Sequence, residues 1–215
     1  MKMVKFTKNR IEEIIKKDFL KNKTILEVGC VGIGEDDKIN GENFLHKHLK
    51  KVAKKLVGID INKKKVEEFN KKGYEVYVKD VEKTFDLKQK FDIIIVAKVL
   101  EHLQNLRIFF ENIKRHLKKN GLLLILTPNA HSISFFLKFL IKGKTEISET
   151  HTHWHDNQTL KNLLKINNFE IIHESYSHPR PIFNKLKGYL IQSLWIFLPK
   201  RMGRQILIIA RTKNE

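Results

Sequence analysis

The chain has 215 residues, 41% of them hydrophobic, and a single cysteine; this suits one domain with a full core and excludes intrinsic disorder and an internal disulfide. Its formal net charge of +18 creates a field that attracts phosphates, whether on RNA or on an anionic membrane surface. No apolar run reaches the roughly 20 residues needed to cross a bilayer, and the opening MKMVKFTKNRIEE has lysines without an apolar core. Neither a transmembrane helix nor a secretory signal is expected, and the default setting is reducing and cytoplasmic.

In chain order, Asn9 to Lys21 places Ile11, Ile14, Ile15 and Leu20 at helical spacing. Thr24 to Val28 reads as a short apolar strand that runs into Gly29-Cys-Val-Gly-Ile-Gly34. Glu42 to Lys54 reads as a helix, Leu56 to Ile61 as a second strand, and Asn62 as the cap of the helix that follows. Glu75 to Val78 is a third strand, and Asp92 to Ala97, within FDIIIVA, a fourth that is buried on both faces. Asn105 to Lys118 is a helix and Gly121 to Thr127 a fifth strand, stopped by Pro128. Asp156 caps a helix ending near Asn167, and Phe169 to His173 and Gln205 to Arg211 are two final strands. Alternating strands and helices predict an open, mostly parallel sheet with helices on both faces. Ligands of such sheets bind beyond the carboxyl ends of the strands.

The residues at those ends carry chemistry. Gly29, Gly32 and Gly34 follow the first strand, where glycine permits positive φ and close approach to a ligand. Asp60 ends the second strand and can accept two hydrogen bonds from a ribose diol. Asp80, in VKDVE, can accept from an adenine amino group, with Val81 against the ring. A nicotinamide-binding protein is disfavoured, because the glycines read G-x-x-G-x-G rather than G-x-G-x-x-G.

The successive segments EVGCVGIG, GIDI, VKDVE, FDIIIVAKVLEHL and GLLLILTPN resemble the motifs of class I S-adenosylmethionine (SAM)-dependent methyltransferases. The resemblance runs from about Thr24 to Phe169. It implies an α/β, Rossmann-like doubly wound fold with a seven-stranded sheet, mostly parallel with the last strand antiparallel. It assigns Gly29, Gly32 and Gly34 to the methionine end of SAM, Asp60 to the ribose and Asp80 to the adenine. Glu27 would fix the Gly-rich loop, and Cys30, Ile61, Val81 and Lys98 complete the expected cofactor set. One departure stands in the loop, where Val31 occupies the position of the second glycine.

Methyl transfer from a sulfonium needs alignment and exclusion of water more than any obligatory group, and a base only where the acceptor must lose a proton. His102, beside Glu101 after the fourth strand, is the first candidate, and His131 after TPN the second. The Glu101-His102 pair resembles metal-dependent branches of the superfamily, which use E-x-x-E-H; here Lys98 takes the first acidic position, and no metal is expected. His151, His153 and His155 read as a loop that caps the site.

Two apolar segments, Ile133 to Ile141 and Leu186 to Leu198, sit on the substrate side of this fold. They would form either a helical lid over the core or an apolar acceptor cavity and membrane-contacting face, since lysines and arginines flank both. From Ser175 onward, Arg180, Lys185, Lys187, Lys200, Arg201, Arg204, Arg211 and Lys213 face a single acid, Glu215. The expectation is one domain over 1–215 with lid segments at about 131–155 and 177–203. It would methylate an O or N atom of a small-molecule or lipid- or glycan-precursor acceptor, in the cytoplasm with peripheral contact to an anionic membrane. An RNA methyltransferase is the alternative enzyme, though no RNA-binding module is evident, and a SAM-fold protein without turnover is the third reading.

Overall fold

Apolar strands and one-sided helices alternate along the chain and build a layered α/β structure. The computed structural model describes residues 18–32, 44–145, 147–176 and 199–213. The strands are β1 (Thr24–Val28), β2 (Lys55–Asp60), β3 (Val76–Val78), β4 (Phe91–Ala97), β5 (Leu117–Pro128), β6 (Phe169–Tyr176) and β7 (Gln205–Thr212). The helices are α1 (Leu45–Val52), α2 (Lys63–Lys71), α3 (Leu106–His116), α4 (Ile133–Lys142) and α5 (Asn157–Ile166). The sheet has the order β3-β2-β1-β4-β5-β7-β6. β1 pairs in parallel with β2 and β4, whereas β7 runs antiparallel to both β5 and β6. The expected fold class is therefore the observed one.

Alternation within β4 shows how the core divides. Phe91, Ile94 and Val96 face one cluster with Phe109, Phe110 and Ile113 of α3 and Leu160 and Leu164 of α5. Ile93 and Ile95 face another with Leu45 and Leu49 of α1. A strand buried on both faces has to be continuously apolar, as FDIIIVA is. Side-chain caps fix the helix starts: Asn62 accepts from Lys65 N at 3.1 Å, Asn105 from Ile108 N at 3.3 Å, and Asp156 forms a capping box with Thr159.

Two strands depart from expectation by three residues or more, while the other described strand ends shift by a residue at most. α3 stops at His116 and β5 begins at Leu117, not Gly121. Buried His116 accepts from Leu87 N at 2.9 Å and stacks on Phe85, which ends the helix there. β6 continues past His173 to Tyr176, because a bulge between Ile171 and His173 resets its pairing with β7. Of the predicted helix Asn9 to Lys21 only the end from Asp18 is described, as the 3-10 turn Asp18–Leu20; the rest and the apolar segment Leu186 to Leu198 lie outside the described residues.

The topology places the site. β1 and β4 are neighbours whose chains leave toward opposite sides of the sheet, which opens a crevice beyond their carboxyl ends. Gly29, Asp60, Asp80, Glu101 and Asn129 all lie at or just past strand ends on that rim.

Candidate active site

The Gly-rich turn leaves β1 at Gly29, whose N–H donates to Ile59 O at 2.9 Å. Gly29 has φ +71°, and a Cβ there would lie 2.3 Å from Val99 Cγ2. Only glycine fits this turn, on grounds of backbone conformation and of space. Gly32 also has positive φ, at 69°; Gly34 lies outside the described residues. Val31 adopts no positive φ. Its side chain packs with Cys30, Phe44, Val66, Phe69 and Val76, so the departure from the glycine pattern is accommodated by burying the extra side chain.

Asp60 holds this turn to the end of β2. One carboxylate oxygen accepts from Val31 N at 3.1 Å and the other from Asn62 N at 3.0 Å. Each oxygen has a second lone pair, so the buried carboxylate retains acceptor capacity. Next to it Ile61 is 68% exposed, an apolar face at the rim suited to a planar ring. Asp80 accepts from Glu82 N at 3.0 Å and pairs with Lys83 at 3.4 Å, while Val81 packs against the core. Cys30 is buried in the apolar cluster beneath the turn, and burial, then the charges of Glu27 and Asp60, push its thiol pKa up. Its side chain is thus a packing element, and any ligand contact would use its backbone.

Beneath the turn, Glu27 Oε2 meets His46 Nδ1 of α1 at 2.7 Å, and both side chains are buried. Burial raises the Glu27 pKa, and the bond to His46 opposes the rise. Nothing in the sequence marks this partner, because His46 sits in an HKH run that resembles a solvent face.

The second half of the site begins where β4 ends. Lys98 has φ 58° and its N–H donates to Leu126 O at 2.7 Å, which turns the chain into the one-turn 3-10 helix Leu100–His102. Glu101 is buried and accepts from Thr127 Oγ1 at 3.1 Å. Burial pushes its pKa up, against its hydrogen bonds and the charges of His102 and Lys98. His102 Nδ1 lies 3.1 Å from Thr150 O. A carbonyl only accepts, so Nδ1 carries the proton and Nε2 is the basic nitrogen of the neutral ring. The His151 ring meets His102 edge-on at 4.7 Å, and the ligating atoms of Glu101, His102 and His151 fall within 4.8 Å of one another. This group has the composition to hold a divalent cation, with Lys98 adding a positive charge beside it.

The segment 151–155 joins this group to a cavity. Thr152 N and His153 N donate to Glu101 O at 2.9 and 3.2 Å, and Ala130 N donates to His155 O at 2.9 Å. Burial lowers the His155 pKa to about 4. Trp154 sits edge-on to Phe135 at 5.4 Å. A cavity of about 440 Å³ is lined by Trp154, by Phe135, Phe136 and Phe139 of α4, and by His131 at the β5–α4 turn. Asn129 anchors that turn by donating to Arg201 O and Gly203 O at 2.8 and 2.6 Å. Glu101 and His102 therefore cluster with His151, whereas His131 belongs to the cavity. Thr127 was not foreseen: a threonine within an apolar strand carries no distinguishing pattern.

The profile of the methyltransferase domain family matches residues 3–174. The chain belongs to this family of SAM-dependent methyltransferases. Among curated relatives, a ubiquinone biosynthesis O-methyltransferase of Pelagibacter ubique (strain HTCC1062) is 32% identical over 133 residues, 55% of this chain and 51% of the relative. One from Rickettsia conorii (strain ATCC VR-613 / Malish 7) is 28% identical over 65 residues, 30% of this chain and 22% of that protein. The methyltransferase thus spans about half the length of the first of these relatives and less of the second. A SAM-dependent methyltransferase from Archaeoglobus fulgidus superposes with a TM-score of 0.64 at 18% identity, covering 94% of this chain and 91% of that one. One from Clostridium acetobutylicum ATCC 824 gives 0.60 at 12% identity, covering 95% and 89%. Both similarities establish the fold. The residues of the methyltransferase also fit SAM: Gly29 and Gly32 hold the positive-φ turn that brings backbone to the rim, and Asp60 offers a buried carboxylate beside the apolar Ile61.

Proposed function

We propose that the chain transfers the methyl group of SAM to an oxygen of a small acceptor with an apolar body, such as a phenol or a lipid-linked precursor. The observation that carries this reading is the cavity of about 440 Å³ walled by Phe135, Phe136, Phe139 and Trp154, with His131 among its few polar groups. Apolar walls with sparse polar groups suit an amphipathic small molecule. The O-methyltransferase relatives support oxygen as the accepting atom.

SAM, when bound, supplies an electrophilic methyl group and departs as the thioether. In our reading Gly29, Gly32, Asp60 and Asp80, with Glu27 acting from below, hold the donor. His102 Nε2 takes the acceptor hydroxyl proton as the new O–C bond forms, and the Glu101 carboxylate stabilises the resulting imidazolium. The strap at 151–155 keeps water from the reacting atoms. Lys98 already places a positive charge beside Glu101, so the reading uses no metal. Activity is expected to survive exhaustive chelation; loss on chelation, restored by a divalent cation, would reassign Glu101, His102 and His151 as its ligands.

The test is incubation with SAM and a panel of alkylphenols, polar catechols and total RNA, followed by mass analysis. Methylation of the alkylphenols at oxygen is expected. Methylation of RNA alone would replace this reading with the one the net charge suggests.

A further inference from the structure

We propose that Asn112 of α3 is a positioning residue for the methyl donor: it splints the segment that presents Asp80 and Val81 to the adenine ring, and so sets how well the site tells adenine from a ring without its amino group. This rests on the reading of Asp80 as the partner of that amino group. The described residues 79–90, which join β3 to β4, form no helix or strand. Their backbone groups therefore need partners from elsewhere in the fold. Asp80 stands near the start of this segment, where its carboxylate accepts from Glu82 N at 3.0 Å and pairs with Lys83 at 3.4 Å. Both contacts lie within the segment and do not fix it to the sheet or to a helix.

α3 supplies the ties. Asn112 is 2% exposed and shares the buried face of the helix with Phe109, Phe110 and Ile113. A polar side chain there is costly unless its hydrogen bonds are made. They are made to the segment: Nδ2 donates to Val81 O at 3.0 Å and to Lys83 O at 2.9 Å, and Oδ1 accepts from Phe85 N at 3.3 Å. Arg115 Nη1 donates to the same Oδ1 at 3.3 Å and to Phe85 O at 3.0 Å. An amide has two donor hydrogens and two acceptor lone pairs, so this one is fully engaged. Aspartate lacks the donors, leucine lacks donors and acceptor alike, and glutamine is one methylene longer. The carbonyls held are those of Val81 and Lys83, on either side of the Glu82 N–H that Asp80 accepts from, so the splint fixes the turn that orients the Asp80 carboxylate. Glu82 itself reaches the start of α3, where its Oε1 accepts from Gln104 N and Asn105 N, both at 2.6 Å. An apolar residue at position 112 would bury the same helix face; what it would lose is the placement of the segment.

The test is calorimetric titration with S-adenosylhomocysteine, the product SAM leaves behind, and with S-inosylhomocysteine, whose ring carries a carbonyl in place of the amino group. The proteins are the parent chain, Asn112→Leu and Ile113→Val, with thermal melting measured alongside. The parent should prefer the adenine compound by about tenfold or more. Asn112→Leu should bring that preference to within about threefold, by losing affinity for the adenine compound and little for the inosine compound. Ile113→Val loosens the same helix face without touching the segment, so it should lower the melting temperature and keep the parental preference. An unchanged preference in Asn112→Leu, an equal loss for both compounds, or a like loss of preference in Ile113→Val would overturn the proposal and leave Asp80 as the adenine partner. A parent that binds both compounds alike, or neither, would remove the Asp80 reading and the proposal with it. Should Asn112→Leu fail to fold, Glu82→Ala, which frees the same turn from the start of α3, decides in its place: a narrowed preference supports the splint and a parental one overturns it.

Discussion

Gly29 is the residue at which the donor half tolerates least change. A side chain there would meet Val99 at 2.3 Å while the backbone holds φ +71°, a conformation costing an L-residue about 1–2 kcal/mol. Gly29→Ala should weaken SAM binding by roughly tenfold or more, and adding Val99→Ala should restore part of the loss by relieving the contact but not the backbone strain. Calorimetry on the two variants checks this; full recovery would mean that the conformation itself costs nothing. In the other half, His102→Gln should lower kcat by roughly a hundredfold and leave SAM affinity near parental. A large loss of SAM affinity in that variant would count against His102 as the base. The places of Gly29, Asp60 and Glu101 at or just past strand ends were legible in the sequence, because each follows a short apolar run directly. His46 and Thr127 were not, since their partners Glu27 and Glu101 lie 19 and 26 positions away in the chain and only the folded sheet brings them together.

Among elements, the strap at 151–155 couples the two halves of the site and carries a pH signature. Burial holds the His155 pKa at about 4 in the folded chain, below the ordinary histidine value of 6.5. The unfolded chain therefore binds the proton first as pH falls, so this stability is fully present above about pH 6.5 and drains away toward pH 4. The shift corresponds to about 3 kcal/mol. His116 and His151, also lowered by burial, act in the same direction. The melting temperature should thus fall between pH 6.5 and 4, and His155→Gln should flatten the slope without abolishing it. An unchanged slope would show that burial does not shift His155 on folding. Asp92 acts at lower pH: burial raises its pKa, but Lys118 and Thr24 outweigh this and hold it at about 2, so its contribution is lost only below about pH 4. The strap's histidines were visible in the sequence as HTHWH, yet their division between the Glu101 group and the cavity wall was not. That division depends on Glu101 O and Ala130 N pinning the strap at both ends. The start of β5 was missed for a related reason: Lys118-Lys119-Asn120 continues the polar face of a helix, and only the buried His116 ends it.

On the scale of the molecule, strand order decides where chemistry can occur. The crevice between β1 and β4 follows from connections leaving in opposite directions; seven strands with the last antiparallel were expected by resemblance, but the order was not, since strand-and-helix alternation alone specifies layers and not sequence of pairing. The net charge of +18 was ambiguous from composition, as lysines are spread along the whole chain. Whether the Gly29–Asp60 corner binds SAM for transfer is decided by calorimetric titration of the parent chain and Asp60→Asn with SAM. Micromolar binding by the parent is expected, on the order of −8 kcal/mol, weakened by about 10- to 100-fold in Asp60→Asn, where the charge-assisted bonds are lost. No binding by the parent, or equal binding by the variant, would contradict SAM binding at this corner.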